Sequence, residues 1–143
     1  MLFRSARFGD PETQVYLTRL ENDLVELLLA SAEGRLASNE LRWSPNASVC
    51  VVMASGGYPG SYPKGKVITG LDATNALPNT KVFHAGTALK DGETVTNGGR
   101  VLGVTAWAKD LRAARDAAHA AVERIRFEGA HYRRDIAAKG ITS

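Results

Sequence analysis

The sequence lacks the multiple cysteines of disulfide-rich and cysteine-metal proteins and the long apolar stretches of membrane proteins. Its one cysteine, Cys50, lies in the apolar run 49–53, which excludes both a disulfide framework and a multi-cysteine metal site. No apolar stretch approaches the roughly 18 residues of a membrane-spanning helix, and the N-terminus lacks an apolar signal segment. We therefore expect a cytoplasmic protein with no membrane partner.

The chain also has little excess of charge and few aromatic residues. It carries 18 Lys and Arg against 15 Asp and Glu, a net charge of +3, and aromatic residues make up 7% of the chain. Its basic residues are scattered except for a group near the C-terminus: Arg124, Arg126, Arg133 and Arg134. Because nucleic-acid binding needs clustered cations or aromatic stacking platforms, we expect no nucleic-acid partner.

A length of 143 residues suits one domain, or a small domain that carries a remnant of another. Near the start, Asp10 and Pro11 are typical of a helix N-terminus, and Gly34 is typical of a helix end. The residues between them predict one amphipathic helix over 11–33, since leucines recur at spacings of three and four: Leu17, Leu20, Leu24, Leu27 and Leu28.

From residue 47 the chain is rich in valine and glycine, which predicts strands. The expected strands are 47–54, 66–71, 81–90, 93–96 and 100–108, and Asp91-Gly92 and Asn97-Gly98 are turn dipeptides between the later ones. Asp110 predicts the cap of a last helix over 110–127. The expected fold is α+β: one long helix, then a mainly antiparallel sheet or partial barrel closed by a C-terminal helix.

Three segments are candidates for ligand binding. A guanidinium precedes a helix start in the first, Arg7-Phe8-Gly9-Asp10-Pro11-Glu12-Thr13-Gln14. This pattern favours binding of an anion, although an ordinary capped helix has the same pattern. The glycine-rich loop 55–63 follows a predicted buried strand, and a simple surface loop is its alternative. Asn97-Gly98-Gly99-Arg100 offers backbone amides and a guanidinium, but also reads as a hairpin turn. The three histidines share no ligand spacing, so they predict neither a zinc motif nor a triad.

Taken in order, four stretches of the chain resemble one family. They are the segment 7–14, then Ala54-Ser55-Gly56-Gly57-Tyr58-Pro59-Gly60, then Val82-Phe83-His84-Ala85-Gly86-Thr87, then Gly98-Gly99-Arg100-Val101-Leu102, and the closing 132–136 also fits. This ordered set resembles the phosphoribosylamine–glycine ligases, also called glycinamide ribonucleotide synthetases. The resemblance extends over nearly the whole chain from Arg7 onward.

The resemblance implies a ligase of purine biosynthesis with an ATP-grasp fold, ATP and magnesium (or manganese) as cofactors, and glycine and 5-phosphoribosylamine as substrates. A carboxylate is a poor electrophile, so ATP first converts glycine to glycyl phosphate while magnesium neutralises the crowded oxygens. The amine of phosphoribosylamine then attacks the activated carbonyl. Residues 1–44 would be the end of the ATP-grasp domain and 45–143 the C-terminal domain.

The same resemblance implies site residues. Arg7 matches an arginine placed near the acyl phosphate, and Asp10, Glu12 and Thr13 match its active-site neighbours. Gly98, Gly99 and Arg100 match the part of the C-terminal domain that faces the substrate cleft, where they would contact the phosphoribosyl group. The family's metal-ligand positions fall on Phe3 and Ser5, and phenylalanine cannot bind magnesium.

With Phe3 and Ser5 at the metal-ligand positions, two hypotheses about the function of the chain remain. In the first, the chain is a portion of the ligase, inactive alone, whose missing ATP-grasp half is its partner; it predicts an exposed apolar surface on residues 11–33. In the second, the chain is a non-catalytic module that binds a phosphosugar or nucleotide.

Overall fold

The computed structural model describes residues 7–38 and 40–141. Within them the helices are α1 (Glu12–Leu17), α2 (Leu24–Ala32), α3 (Leu71–Asn75), α4 (Leu111–Val122) and α5 (Ala138–Ile141), with a short 3₁₀ turn at Leu36–Ser38. The strands are β1 (Ala47–Ala54), β2 (Thr80–His84), β3 (Thr87–Lys90), β4 (Glu93–Thr96), β5 (Arg100–Ala108) and β6 (His131–Tyr132). The predicted strands 47–54, 93–96 and 100–108 are confirmed.

A four-stranded antiparallel sheet forms the centre, in the order β2-β5-β1-β6. β1 and β5 pair along their whole lengths, from Ala47 opposite Ala108 to Ala54 opposite Arg100. Alternate residues of β1 point into the core because side chains on a strand alternate between faces, and Val49, Val51 and Met53 are buried there. The predicted class, helices with a mainly antiparallel sheet, is confirmed; the sheet is open, and the described residues form no closed barrel.

Helix α4 covers the core face of this sheet. The Asp110 carboxylate caps it by accepting a hydrogen bond from the Ala113 amide at 2.8 Å, as predicted. Its contact face consists of small side chains, so the helix lies close to β1 and β5: Ala114, Ala118 and Ala121 are fully buried. The helix ends at Val122 rather than at 127, because the chain turns there and the Arg126 backbone bonds with that of Thr69.

The single helix predicted over 11–33 is wrong. Residues 18–23 leave the helical path to pair with residues 40–44: the Glu21 amide bonds to the Arg42 carbonyl at 3.0 Å, and the Ser44 amide to the Arg19 carbonyl at 2.8 Å. Asp10 does not cap α1, which begins after Pro11 without a side-chain cap. Gly34, at φ 71°, does follow the end of α2, as expected of a helix stop.

Two strand predictions are also wrong. Residues 66–71 form isolated bridges through Val67 and Thr69 instead of a strand, and Leu71 already belongs to α3. Residues 81–90 make two strands, because the chain bends between His84 and Thr87. β3 and β4 form a separate two-stranded sheet around the Asp91-Gly92 turn. Asn97-Gly98 is not a hairpin turn, since β4 and β5 belong to different sheets.

Candidate functional site

The segments that resemble the ligase family meet at one end of the four-stranded sheet. Because β1 and β2 are both antiparallel to β5, their C-terminal ends lie beside the N-terminal end of β5. The loop 55–60 follows β1, the bend at 85–86 follows β2, and the loop 97–99 precedes β5. The segment 7–11 reaches the same end from α1. We call this the sheet-end site.

Arg100 joins the segment before α1 to the sheet. One guanidinium nitrogen, Nη1, donates a 3.0 Å hydrogen bond to the Asp10 carbonyl, and Nη2 lies 3.1 Å from the Asp10 carboxylate oxygen Oδ2. The other carboxylate oxygen, Oδ1, accepts a 3.1 Å hydrogen bond from Gln14 Nε2. Both oxygens of Asp10 therefore already have protein partners.

Ser55 holds the loop 97–99 from the end of β1. Its hydroxyl donates to the Gly98 carbonyl and its amide to the Gly99 carbonyl, both at 2.8 Å. The side chain is only 3% exposed, so these bonds are shielded from water. Tyr58 packs over the same loop, because a Cβ at Gly99 would overlap its ring. Tyr62 stands beside Tyr58, with ring centroids 6.3 Å apart.

The bend after β2 completes the site through backbone contacts. The Gly86 amide donates to the Arg100 carbonyl at 2.9 Å, and the Asn97 amide donates to the Gly86 carbonyl at 2.7 Å. A Cβ placed on Gly86 would lie 2.6 Å from the Gly98 Cα. The two glycines therefore allow the two loops to touch.

The remaining predicted residues lie around the turn before α1. Arg7 is exposed, and its Nη1 donates to the neighbouring Phe8 carbonyl at 2.9 Å. Thr13 closes the turn, since both its hydroxyl and its amide bond to the Gly9 carbonyl. Glu12 is exposed, and its carboxylate lies against Gly9. The structure thus joins Asp10 to Arg100 and hence to the loop that contains Gly98 and Gly99, while Arg7, Glu12 and Thr13 lie around the turn before α1.

Sequence reasoning placed Gln14, Ser55 and Tyr58 in candidate binding segments without giving them a role, and it did not single out Gly86. Each lies inside a stretch that resembles the family, which was the available signal. Their partners are distant in sequence, however: 43 residues separate Ser55 from Gly98, and 90 separate Asp10 from Arg100. Spacing along the chain cannot show such pairs.

The described residues do not provide a magnesium site. No group of three or more His, Cys, Asp or Glu side chains comes together within 7–38 and 40–141. Asp10, the carboxylate nearest the centre of the site, is engaged by Arg100 and Gln14. The family's metal positions, Phe3 and Ser5, lie outside the described residues. The side chains of the described residues therefore do not fit a magnesium ion.

Cys50 and Asp135 have shifted pKa values. Burial raises the pKa of the Cys50 thiol, which keeps it protonated near neutral pH. Near the C-terminus, the hydrogen bond from Arg133 lowers the pKa of the exposed Asp135 carboxyl. Cys50 lies on the sheet face opposite α4, beside Gly103 of β5.

A second feature is an apolar groove between α1, α2 and the segment 36–43. Its volume is about 270 Å³, and its walls are almost entirely carbon. Several large side chains along it are exposed: Phe8, Tyr16, Leu17, Leu28, Leu41 and Trp43. The apolar surface expected on residues 11–33 is thus present, although two helices carry it. No described helix has the length and apolar content to cross a membrane.

Comparison with known proteins gives one consistent result. The family model for the phosphoribosylglycinamide synthetase C domain matches residues 48–139. The chain is similar to the chloroplastic phosphoribosylamine–glycine ligase of Arabidopsis thaliana, with 52% identity over 134 residues, which is 92% of this chain and 25% of the relative. It is also similar to the ligase of Rhodopirellula baltica, with 49% identity over 140 residues, which is 97% of this chain and 32% of the relative.

The crystal structure of the phosphoribosylamine–glycine ligase from Thermotoga maritima matches with a TM-score of 0.70 and 36% identity, over 90% of this chain and 31% of that one. The chain therefore spans only about a quarter to a third of the length of these proteins.

Proposed function

This chain belongs to the phosphoribosylglycinamide synthetase C-domain family, and from that premise we propose that it is the C-terminal portion of an ATP-dependent ligase that joins glycine to 5-phosphoribosylamine. The observation that carries the proposal is the meeting of segments 7–11, 55–60, 85–86 and 97–100 at the sheet-end site. They bring glycine backbone and an arginine to one end of the sheet, and loops held by a rigid scaffold in this way commonly carry binding residues.

In this proposal residues 1–44 are the end of an ATP-grasp domain and 45–143 the C-terminal domain. ATP and magnesium belong to the portion of the ligase that this chain does not include, where the metal would offset the charge of the phosphates. We assign the protein to the cytoplasm, although the Arabidopsis relative is named as chloroplastic, so the compartment differs among relatives.

The residues of this chain have separate tasks in the proposed reaction. Arg7 has a permanent positive charge on an exposed side chain, which suits it to the negative oxygens of an acyl phosphate. Thr13 fixes the turn that presents it, and Glu12 lies beside that turn. The loop that begins at Gly98 and ends at Arg100 would face the phosphoribosyl group, with backbone amides of Gly98 and Gly99 as the contacts.

The apolar groove fits the partner that the proposal requires. Contiguous apolar surface of this kind on a small domain marks an interface with another chain or domain. We propose that the missing ATP-grasp portion covers it, which would place that portion beside segment 7–11 and hence beside the sheet-end site.

The test is reconstitution of the enzyme from two parts. The Rhodopirellula baltica ligase, shortened by the segment that matches this chain, is mixed with the full 143-residue chain, and ADP release is followed with glycine and phosphoribosylamine present. We expect activity only from the mixture. Arg7→Gln should lower it about a hundredfold, as for loss of one charge-stabilising group, while Arg112→Gln on the exposed side of α4 should not.

A mixture that forms a complex but releases no ADP would contradict the proposal. Calorimetry of the isolated chain with glycinamide ribonucleotide then tests the second hypothesis, a non-catalytic module. Binding without ligase activity would support that module.

A further inference from the structure

The backbone at Arg100 is held by hydrogen bonds and strand pairing. Its carbonyl accepts the Gly86 amide at 2.9 Å, and its two preceding residues have carbonyls bonded to Ser55 at 2.8 Å. It is also the first residue of β5, paired with Ala54 of β1. The guanidinium therefore projects from backbone fixed on both sides.

The segment that Arg100 contacts is bonded mainly to the start of α1, through Thr13 and Gln14. Segment 7–11 belongs to no helix or strand, and α1 has no side-chain cap. Among the described residues, its polar contacts with the sheet end are those of Arg100 with the carbonyl and the carboxylate of Asp10, and Pro11 lines a small cavity with Cys50 and Val52 of β1. Gln14 extends the link into α1, because it bonds to Asp10 Oδ1 and lies against Gly103 of β5.

We propose that Arg100 is a positioning residue: through the Asp10–Arg100 bridge it fixes the segment that carries Arg7 against the end of the sheet. The inference rests on the proposed function for its chemical purpose, which is to aim Arg7 into the cleft. The fork geometry of a guanidinium matters here, since it reaches two oxygens of one residue at once. Both terminal nitrogens of Arg100 contact oxygens of Asp10, and this favours the positioning role over binding of the phosphate of phosphoribosylamine.

The bridge is half exposed, with 43% of the Arg100 side chain and 39% of the Asp10 side chain open to solvent. Exposed ion pairs contribute little to global stability. If Arg100 positions the segment, breaking the bridge should speed amide exchange in residues 7–17 and hardly change the unfolding of the whole chain. If the bridge is purely structural, breaking it should lower the stability of the whole chain instead.

Hydrogen exchange on the full chain tests this. In Arg100→Gln and in Asp10→Asn, amides of Thr13 and α1 should exchange about fivefold faster, the fold-change that a typical coupling between contacting residues produces. The double variant should be no faster than Arg100→Gln alone. Arg100→Lys, which keeps the charge but loses the fork, should lie between it and the wild type. Amides of β1 and the unfolding midpoint should not move.

The matched control is Arg115→Gln, which breaks another Arg–Asp ion pair, with Asp116, that joins no separate elements. It should leave exchange in α1 unchanged. Unchanged exchange in Arg100→Gln, or additive effects in the double variant, would overturn the bridge.

Kinetics of the reconstituted enzyme separates positioning from phosphate binding. A positioning role predicts that Arg100→Gln and Asp10→Asn both lower kcat, about tenfold or more, with the KM for phosphoribosylamine unchanged. A raised KM in Arg100→Gln alone would assign Arg100 to the phosphate and overturn the proposal. If the wild-type mixture is inactive, the proposed function fails, and the exchange experiment still decides the bridge.

Discussion

At the scale of single residues, the sheet-end site is built chiefly from backbone groups in close contact. Gly86 bonds through its amide to the Arg100 carbonyl and through its carbonyl to the Asn97 amide. The atoms nearest to a Cβ added at Gly86 are backbone atoms of Gly98 and Arg100, which have no rotamer that would make room. Glycine at this position is therefore a steric requirement of the site.

Gly86→Ala should lower the free energy of unfolding by about 1–3 kcal/mol, because backbone must shift to accept the methyl group. The same shift should break the bond from Asn97 to the Gly86 carbonyl, so the Asn97 amide should exchange faster. Urea unfolding and hydrogen exchange measure the two effects.

Gly92→Ala is the control for Gly86→Ala. Gly92 has a φ of 84° in the β3–β4 turn and open space around it, so alanine there meets backbone strain without a clash. It should lower stability without changing exchange at Asn97. Equal exchange of Asn97 in both variants would mean that the Gly86–Gly98 approach does not hold the loop.

The sequence predicted individual residues of the site but not the contacts between them. Arg7, Asp10 and Arg100 were named from the resemblance, but the resemblance gives no pairing, and the bridge between Asp10 and Arg100 appears only when the sheet brings their segments together. Arg100 was expected to contact the phosphoribosyl group; its place beside Asp10 suggests the different task proposed above.

At the scale of elements, the interruption between α1 and α2 is set by contacts that periodicity does not record. The leucine spacing continues through Leu20 and Leu24 as if one helix ran on, yet the backbone of residues 19 and 21 bonds to residues 42 and 44. Asn22 supports this pairing with its side chain, which accepts from the Arg42 amide at 2.6 Å and donates to the Glu40 carbonyl at 3.0 Å.

Asp23 starts the helix again after the interruption. Its carboxylate accepts from the amides of Val25 at 2.7 Å and Glu26 at 3.3 Å. Asp23→Ala should therefore destabilise α2 by about 1 kcal/mol, the usual effect of losing an N-cap. Exchange at the Val25 and Glu26 amides, measured beside urea unfolding, checks this. Asp23→Asn keeps an accepting oxygen and should stay near the wild type; an equal loss in both variants would assign the effect to charge rather than to capping.

The two central strands were predictable because burial defines them. β1 and β5 lie at the centre of the sheet and read as continuous apolar runs, so their bounds followed from the sequence. Residues 66–71 also contain β-branched apolar residues, but they lie beside the β3–β4 hairpin and residue 126, where they form single bridges. The number of neighbouring strands available, which composition does not encode, separates the two cases.

At the scale of the whole molecule, two regions of the chain differ in how far their apolar side chains are buried. The core between α4 and the sheet is closed, with Val51, Val104 and Ala118 fully buried. The α1–α2 region exposes a connected apolar groove instead. Side chains at its rim contribute little to the stability of the chain itself, because nearly half of their surface is already in water.

Replacing two rim residues should therefore separate binding from folding. Leu28 and Trp43 are 48% and 45% exposed, so the double variant Leu28→Gln, Trp43→Gln should change the unfolding midpoint little. It should weaken binding to the shortened Rhodopirellula baltica ligase about tenfold or more, since buried aromatic and aliphatic anchors dominate interfaces. Titration calorimetry measures the affinity, and circular dichroism the midpoint.

Leu89→Gln is the matched control, because Leu89 is 77% exposed on β3, outside the groove. Loss of this exposed leucine outside the groove should leave the affinity unchanged. If the groove variant bound as tightly as Leu89→Gln, the missing portion would have to dock elsewhere, and the sheet-end site would face solvent rather than the partner. Loss of affinity confined to the groove variant would instead place the partner against α1, which directly follows the segment that the Asp10–Arg100 bridge holds.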